Sequence, residues 1–522
     1  MHRTLLNGHV HHLISTISYH DQPALVYHNL CHDSKHSVLL ESAEIESKAG
    51  LKSVLVVDAA LSIRCDFRQV QLQALTENGA NLLPFIIEQL SEFEPQRNGD
   101  LVTVLLPPPA AGLDEDSRLI APSPLSVLRL LVQQLHSDSR PESLLLAGCF
   151  AFDLVASVEP LPVVMEGANS CPDYLFYLAE TTVVLDHQQQ RAEVIGTIFG
   201  GDAPSINQLT AEKGRRMAAI AAQLKQPLMP LPTTTTQRSP VHVNQSDDVY
   251  CAKVAQLKQH IQVGDIFQVV PARCFSLPCP EPLAAYQRLK SLNPSPYMFY
   301  MTSPEFTLFG ASPESALKYD KQSNQVEIYP IAGTRKRGKF VGGEIDHDLD
   351  SRIELGLRQD QKELAEHLML VDLARNDIAR ISQPGTRKIA ELLKVDRYSH
   401  VMHLVSRVTG QLRTDLDALH AYQACMNMGT LTGAPKVRAA QLLRQAEGER
   451  RGSYGGAVGY LNGRGDMDTC IVIRSAFVRH GTAYVQAGAG VVADSDPQCE
   501  ADETRHKAQA VLRAISGDGE PS

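Results

Sequence analysis

The sequence predicts a protein of the α/β or α+β class, in which large β-sheets are covered by helices. Two observations predict this class. Alternating apolar runs at residues 37–40, 53–57 and 181–185 are typical of strands, whereas residues 126–135 have the apolar spacing of a helix. Such segments interleave along the chain, and 522 residues with 43% hydrophobic content can bury a large core.

The second half of the chain continues the same alternation. Residues 242–263 are expected to contain a helix, and strands are expected at residues 267–270, 307–309 and 326–331. One segment, residues 226–243, is rich in proline and threonine and has no periodicity, which predicts a linker. This divides the chain into an N-terminal region, residues 1–225, and a second domain, residues 244–516.

Composition excludes several classes of protein. The net charge of −10 argues against a nucleic-acid partner or an anionic membrane. The longest apolar run, residues 144–152, is far shorter than the roughly 18 residues that a membrane helix needs. The start lacks the apolar stretch of a signal peptide, so we expect a cytoplasmic protein. Ten cysteines without a C-x-x-C pair indicate reduced thiols.

Two pairs of glutamates, Glu363 with Glu366 and Glu500 with Glu503, are far apart in the sequence, yet each has the spacing that places both carboxylates on one helix face. Four converging carboxylates repel one another unless a cation or protons compensate. A set of oxygen ligands suits a hard ion, above all Mg²⁺. For either pair alone, a solvated helix face is the competing interpretation.

The surroundings of both pairs predict helices. In residues 361–375, Leu364, Leu368 and Val371 share one apolar face, so this helix is expected to be largely buried, and Asp360 precedes it as a capping residue. The second helix is expected to begin after Asp496, with Pro497 in its first position, and to stop at Gly517.

Other residues could hold an anionic substrate. Residues 331–335 are expected to turn through Gly333 after a strand, and residues 488–490 form a second glycine turn. Arg474 interrupts an apolar strand, where burial would require an anionic partner. Tyr454 and His403 are further candidates; a buried core histidine is the competing interpretation of the latter. Together these features indicate a Mg²⁺-dependent enzyme for a small substrate with several carboxylates.

Several long motifs then occur in order: PIAGTRKRG, DQKELAEHLMLVDLARND, VDRYSHVMHLVS, MGTLTGAPKVRA, RRGSYGGAVGY, TCIVIRSA, VQAGAGVVADSDP and EADETRHKA. With them the chain resembles the chorismate-utilising enzymes, and among these the members that make anthranilate. The resemblance is dense over residues 244–512 and also touches residues 39–42 and 171–187. It implies the chorismate-utilising enzyme fold.

The resemblance also implies roles for individual residues. Glu366 and Glu503 would bind Mg²⁺ directly, with Glu363 and Glu500 acting through water. The implied chorismate contacts are Gly333, Thr334, Tyr454, Arg474, Gly488, Ala489 and Gly490. The implied catalytic residues are His403, which would transfer protons at the C4 hydroxyl, and Thr430. Ammonia would add at C2 as that hydroxyl leaves, and pyruvate would then be eliminated to give anthranilate.

Two positions separate this chain from other branches of the family. Aminodeoxychorismate synthases typically have a nucleophilic lysine where this chain has Ala332, and isochorismate and salicylate synthases have a lysine that activates water where it has Gln268. Glutamine cannot act as that base. Aminodeoxychorismate synthesis stays open as a second enzymatic hypothesis, and a non-catalytic amino-acid sensor as a hypothesis of another class.

The resemblance further implies a partner and an inhibitor. Gly148-Cys149-Phe150 lacks the glycine that follows the nucleophilic cysteine of a glutaminase, so a separate glutamine amidotransferase subunit is expected, in a heterotetramer of two chains of each kind. Two segments match the tryptophan feedback pocket of the family, with Glu41, Ser42, Pro296, Tyr297 and Met298. Without the resemblance, the same segments would be interpreted as a strand end and a turn.

Overall fold

The structure, a computed structural model, describes residues 7–42, 51–110, 112–137, 139–200, 206–232, 240–340, 342–398 and 401–517. Its strands are β1 His9–Ile17, β2 Ser37–Glu41, β3 Lys52–Asp66, β4 Gln69–Ala74, β5 Gln96–Asn98, β6 Leu101–Leu105, β7 His136–Ser137, β8 Leu145–Phe150, β9 Tyr174–Asp186, β10 Arg191–Phe199, β11 His242–Val243, β12 Gln268–Val269, β13 Ala272–Pro278, β14 Tyr297–Thr302, β15 Thr307–Ser312, β16 Ser315–Asp320, β17 Gln325–Ile328, β18 Ile331–Lys336, β19 Lys388–Arg397, β20 Val401–Gln411, β21 Gly433–Ala434, β22 Ala457–Asn462, β23 Met467–Ile471, β24 Ser475–Arg479 and β25 Thr482–Gly488.

The α-helices are α1 Pro23–Cys31, α2 Glu77–Ala80, α3 Leu83–Gln89, α4 Glu115–Ile120, α5 Leu125–Gln134, α6 Ile206–Gln223, α7 Asp247–Gln262, α8 Pro282–Leu292, α9 His347–Gln359, α10 Gln361–Ile381, α11 Ala418–Cys425, α12 Gly429–Thr432, α13 Lys436–Glu447 and α14 Pro497–Ser516. Interleaved helices and strands confirm the predicted fold class. Among the described helices, none is long and apolar enough to cross a membrane.

Antiparallel pairing joins most of the strands into two connected runs. One run follows the order β11, β13, β25, β24, β15, β14, β2, β3, β9, β10 and β1. The other run begins at β9 and follows the order β8, β22, β23, β16, β17 and β20. Strand β20 also pairs with β18 and β19. The pairings β2 with β14 and β8 with β22 join strands from both sides of residues 226–243, whose division of the chain into domains stays a prediction.

The predicted elements are largely found where they were expected. Residues 37–40, 53–57, 181–185 and 307–309 lie in β2, β3, β9 and β15, residues 126–135 overlap α5, residues 242–263 contain α7, and residues 267–270 contain β12. The single strand expected at residues 326–331 is instead two, β17 and β18. The break includes Pro330, which has no amide hydrogen to donate to a neighbouring strand.

The two glutamate-bearing helices begin as predicted. The Asp360 carboxylate accepts hydrogen bonds from the N–H groups of Lys362 and Glu363, and Asp496 caps α14 with Pro497 in the first position. The predicted apolar face of α10 was wrong in part, because Leu368 is 47% exposed. The buried residues of α10 are His367, Leu370, Val371, Ala374, Asp377, Ile378 and Ile381, the row that packs toward β18, β20 and α11.

Candidate active site

A cavity of about 430 Å³ lies where β18, β20, α10, α12, α14 and the end of β25 meet. Eleven of the predicted site residues line it: Gly333, Thr334, Glu363, Glu366, His403, Thr430, Tyr454, Arg474, Gly488, Gly490 and Glu503. Ala489 and Glu500 do not line it. The fold therefore brings most of the sequence-predicted constellation to one place, although its members span residues 333–503.

The glutamates of α10 and α14 influence one another across this cavity. Burial raises the pKa of Glu366, and the charges of Glu363 and Glu503 raise it further. Burial also favours the neutral acid of Glu503, but the Lys507 ammonium outweighs it and lowers the pKa of Glu503. Glu500 is 3% exposed, its pKa is raised by burial, and its Oε2 has no hydrogen-bond partner among the described residues.

These carboxylates have the chemistry of a hard-cation site, because oxygen ligands on two rigid helices suit Mg²⁺ and the unpaired Glu500 Oε2 needs a compensating charge or hydrogen bond. Within the described chain, however, no group of three or more His, Cys, Asp or Glu side chains converges closely enough to hold a metal ion. Glu363 instead pairs with Arg335, and Glu503 with Lys507.

Gly333 brings backbone close to the glutamates, but not in the predicted way. It lies inside β18, where the pairing with β20 shifts register between Ala332 and Thr334, so the expected turn after a strand is a bulge within a strand. Its φ of 71° favours glycine, and an added Cβ would lie 3.2 Å from Glu363 Oε2. A side chain at this position would crowd the carboxylate.

The turn after β25 makes a similar close approach. A Cβ on Gly490 would lie 2.9 Å from Gln268 Nε2 and 3.5 Å from Glu366 Oε1. Ala489 is directed elsewhere, because its N–H donates to the Pro271 carbonyl at 3.2 Å and its side chain is buried. Of the predicted glycine-turn contacts, Gly488 and Gly490 therefore line the cavity. Ala489 does not, and its backbone hydrogen bond holds the turn against Pro271.

Arg474 lies in the connection between β23 and β24, not within a strand as predicted, and has a positive φ of 50°. Burial lowers its pKa, while Tyr454, Glu503 and Glu314 partly offset that effect. Within the described residues its guanidinium has no hydrogen bond or ion pair. A cation held in this way is suited to a carboxylate of a bound ligand.

His403, on β20, faces Thr334 on β18. The Nδ1 atom of His403 and the hydroxyl of Thr334 are 2.9 Å apart, and the Tyr398 ring packs edge-on against the imidazole with centroids 5.3 Å apart. Burial, reinforced by the charge of Arg474, lowers the pKa of His403 to about 4. The imidazole is therefore neutral at physiological pH in this state.

Glu314, which follows β15, is a site residue that the sequence analysis missed. Burial raises its pKa to about 8, although the Thr430 hydroxyl, Lys507 and Arg474 favour the charged form. The carboxyl group therefore keeps its proton near pH 7. A carboxylate between two largely apolar strands was a signal that could have indicated it. Gln268 also lines the cavity, and its buried Oε1 has no partner in the described part of the chain.

The predicted tryptophan-pocket segments meet through the pairing of β2 with β14, in which Glu41 is opposite Met298. Glu41, Ser42, Tyr297 and Met298 line a second cavity, of about 200 Å³. Pro296 does not; it lines a third cavity of about 210 Å³, which Tyr297 shares. The Glu41 carboxylate is already engaged, because it accepts hydrogen bonds from Tyr286 and Lys290.

Comparison with known proteins identifies the family. The profile of the chorismate binding enzymes matches residues 98–513. Anthranilate synthase component 1 of Vibrio cholerae is 59% identical over 507 residues, which are 96% of each chain, and that of Escherichia coli is 55% identical over 96% of this chain and 95% of its own.

Solved structures agree. Anthranilate synthase component I from Streptococcus pneumoniae is 27% identical, with a TM-score of 0.67 over 96% of this chain and 99% of that one. MenF, the isochorismate synthase of Escherichia coli, is 16% identical, with a TM-score of 0.68 over 97% and 94%, and so shares the fold. This chain belongs to the anthranilate synthase component 1 group of the chorismate binding enzymes.

Proposed function

We propose that the chain converts chorismate and ammonia to anthranilate and pyruvate, the first committed step of tryptophan biosynthesis, in the cytoplasm. The observation that supports this most directly is Arg474, a partly buried guanidinium without a hydrogen bond or ion pair in the described chain, in a cavity that four glutamates surround or adjoin. A substrate with two carboxylates matches this arrangement, because one can pair with Arg474 while the other lies toward the glutamates.

Mg²⁺ is part of the proposal. Glu366 and Glu503 would hold it directly, and Glu363 and Glu500 through water. When bound, the ion would anchor the ring carboxylate and draw electron density from the ring. The chain's own residues then fix the rest of the substrate: Arg474 and Tyr454 bind a carboxylate, and the backbone at Gly333 and Gly490 approaches closely because neither residue has a side chain.

Two titratable groups in the cavity, Glu314 and His403, have pKa values shifted in opposite directions by the protein, which supports different roles for them. Glu314, with a pKa of about 8, holds a proton at pH 7, whereas His403, with a pKa of about 4, is neutral. Glu314 would donate its proton as the C4–O bond breaks and the hydroxyl leaves as water, while the ammonia nitrogen forms a bond to C2. Neutral His403, beside the Thr334 hydroxyl, would orient the C4 hydroxyl and take up protons released later.

The ammonia would come from a glutamine amidotransferase subunit, in an assembly of two chains of each kind. Cys149 cannot supply a glutaminase nucleophile here, because it is buried in β8, with its Sγ 3.8 Å from that of Cys171. Tryptophan would inhibit from the cavity lined by Ser42 and Met298, which is separate from the chorismate cavity.

The purified chain tests this function. With chorismate, Mg²⁺ and ammonium salt it should form fluorescent anthranilate and pyruvate, and with glutamine it should form neither until the amidotransferase subunit is added. A para-aminated product would instead support aminodeoxychorismate synthesis. Tryptophan binding without any turnover would support the sensor hypothesis.

A further inference from the structure

Two protein cations lie on the carboxylates proposed to serve a metal ion. Lys507 Nζ is 2.5 Å from Glu503 Oε1 and donates to the Gly488 carbonyl at 3.1 Å. Arg335 Nη1 donates to Glu363 Oε1 at 2.9 Å. One glutamate of each pair is thus neutralised by a basic residue of the chain itself.

The other glutamate of each pair is less well compensated. Among the described residues, the Glu366 carboxylate has no hydrogen bond or ion pair, and Glu500 Oε2 is buried without a partner. The Lys507 charge acts on both of these carboxylates as well as on Glu503. The Lys507 ammonium therefore partly neutralises the glutamates, as a bound metal cation would.

A carboxylate that a lysine or arginine of the chain already neutralises attracts a divalent cation less strongly, so these ion pairs compete with a metal for Glu503 and Glu363. We propose that Lys507 and Arg335 are internal counter-ions of this site, with which a divalent cation competes for Glu503 and Glu363 and which it displaces when it binds. The inference rests on the Mg²⁺ part of the proposed function. It accounts for the fact that three of the glutamates line one cavity, yet no three of the described acidic side chains converge on a common point.

Displacement has a consequence for the substrate. Lys507 lines the chorismate cavity, so its released ammonium would need a new anionic partner there, and a substrate carboxylate supplies one. Metal and chorismate should then bind more tightly together than either binds alone. The metal releases the Lys507 ammonium, and this ammonium can then pair with a carboxylate of chorismate. Lys507 and Arg335 are positioning residues in this scheme, since they act through the glutamates.

Mn²⁺ binding, followed by the EPR signal of the free ion, tests the proposal without any turnover. Lys507→Gln and Arg335→Gln should each tighten Mn²⁺ binding in the absence of chorismate by about tenfold, because an ion pair no longer competes. Lys362→Gln is the matched control: Lys362 acts on the same glutamates from a distance but forms no ion pair with any described residue. It should tighten binding by at most about threefold.

The second measurement is the effect of chorismate on Mn²⁺ affinity. Chorismate should tighten Mn²⁺ binding to the parent chain by about tenfold or more, and clearly less in Lys507→Gln. Equal effects of Lys507→Gln, Arg335→Gln and Lys362→Gln would overturn the counter-ion role, even if the parent makes anthranilate. If the parent chain bound no Mn²⁺, or if Glu503→Gln bound Mn²⁺ as tightly as the parent does, the metal site itself would be overturned. Circular dichroism of each variant checks that it is folded.

Discussion

The hydroxyl of Thr334 and the Nδ1 atom of His403 lie 2.9 Å apart across the pairing of β18 with β20, directly beside the bulge at Gly333. The contact engages Nδ1 of the imidazole, and the Gly333 backbone also forms a hydrogen bond with the ring. Because burial holds the pKa of this imidazole at about 4, while Glu314 has a pKa of about 8, the mobile proton of the site resides on the carboxyl group.

The pH dependence of catalysis should reveal this division of roles. A group with a raised pKa is protonated below that pKa, so Glu314 can donate up to about pH 8 and loses this ability above it. The kcat/KM for chorismate, measured at saturating ammonia across pH 5 to 9, should therefore fall above about pH 8. No rise should occur near the ordinary histidine pKa, because His403 stays neutral throughout this range.

The corresponding variants sharpen that prediction. Glu314→Gln should lower kcat by about 10²- to 10⁴-fold, since the proton donor is lost, and should remove the decline above pH 8. His403→Asn should lower kcat while leaving that decline in place. A decline that survives in Glu314→Gln but vanishes in His403→Asn would reverse the two assignments.

Arg474 should show a conflict between stability and function. Its desolvated, unpaired charge destabilises the fold, so Arg474→Met is expected to raise the free energy of unfolding by about 1–2 kcal/mol. The same change should weaken chorismate binding by about 10²-fold, because a carboxylate loses its partner. Urea unfolding and calorimetric titration with chorismate measure the two effects.

A surface arginine provides the control for this experiment. Arg464 pairs with Asp466 at 2.8 Å, so Arg464→Met should not stabilise the fold and should leave chorismate binding unchanged. If Arg474→Met instead destabilised the chain and bound chorismate normally, Arg474 would be a structural residue.

Gly490 should tolerate no side chain. Gly490→Ala would place a methyl group 2.9 Å from Gln268 Nε2 and 3.5 Å from Glu366 Oε1, so we expect the KM for chorismate and the Mg²⁺ concentration for half-activation to rise about tenfold or more. Gly214→Ala, on α6, is the matched control, because its methyl group would meet nothing within 4 Å. It should leave both constants unchanged, and similar kinetics for the two variants would show that the Gly490 turn does not confine the substrate.

Local signals in the sequence were sufficient for much of the fold and for most of the site. Asp360, Asp496 and Pro497 mark helix starts through chemistry that acts within one turn, so α10 and α14 could be predicted closely. Leu368 was misassigned because two neighbouring helical faces were both apolar, and only the position of β18 and β20 decides which is buried.

Other features depend on contacts distant in the sequence. The bulge at Gly333 exists only in the pairing with β20, and the raised pKa of Glu314 arises from burial that outweighs the opposing effects of Thr430, Lys507 and Arg474. Lys507 and Glu503 have the i, i+4 spacing of a helical ion pair, whereas Arg335 and Glu363 are far apart in the sequence. Motif spacing could therefore identify the glutamates but not the basic residues that neutralise them.

Tryptophan should bind in the cavity between β2 and β14, and the composition of the chain makes this simple to measure. The sequence contains no tryptophan, so indole emission excited at the red edge of tyrosine absorption comes from the ligand, and a saturable change in its intensity or anisotropy reports binding. Ser42→Ala removes a polar group of this cavity, and Met298→Ala removes part of its apolar wall, so each should weaken tryptophan binding about tenfold and spare the uninhibited rate. Pro296→Ala should have a smaller effect, because Pro296 lines the neighbouring cavity. Equal losses of affinity in all three variants would place the ligand against Pro296 as well. If tryptophan caused no saturable change in emission and no inhibition at millimolar concentration, these segments would have a purely structural role.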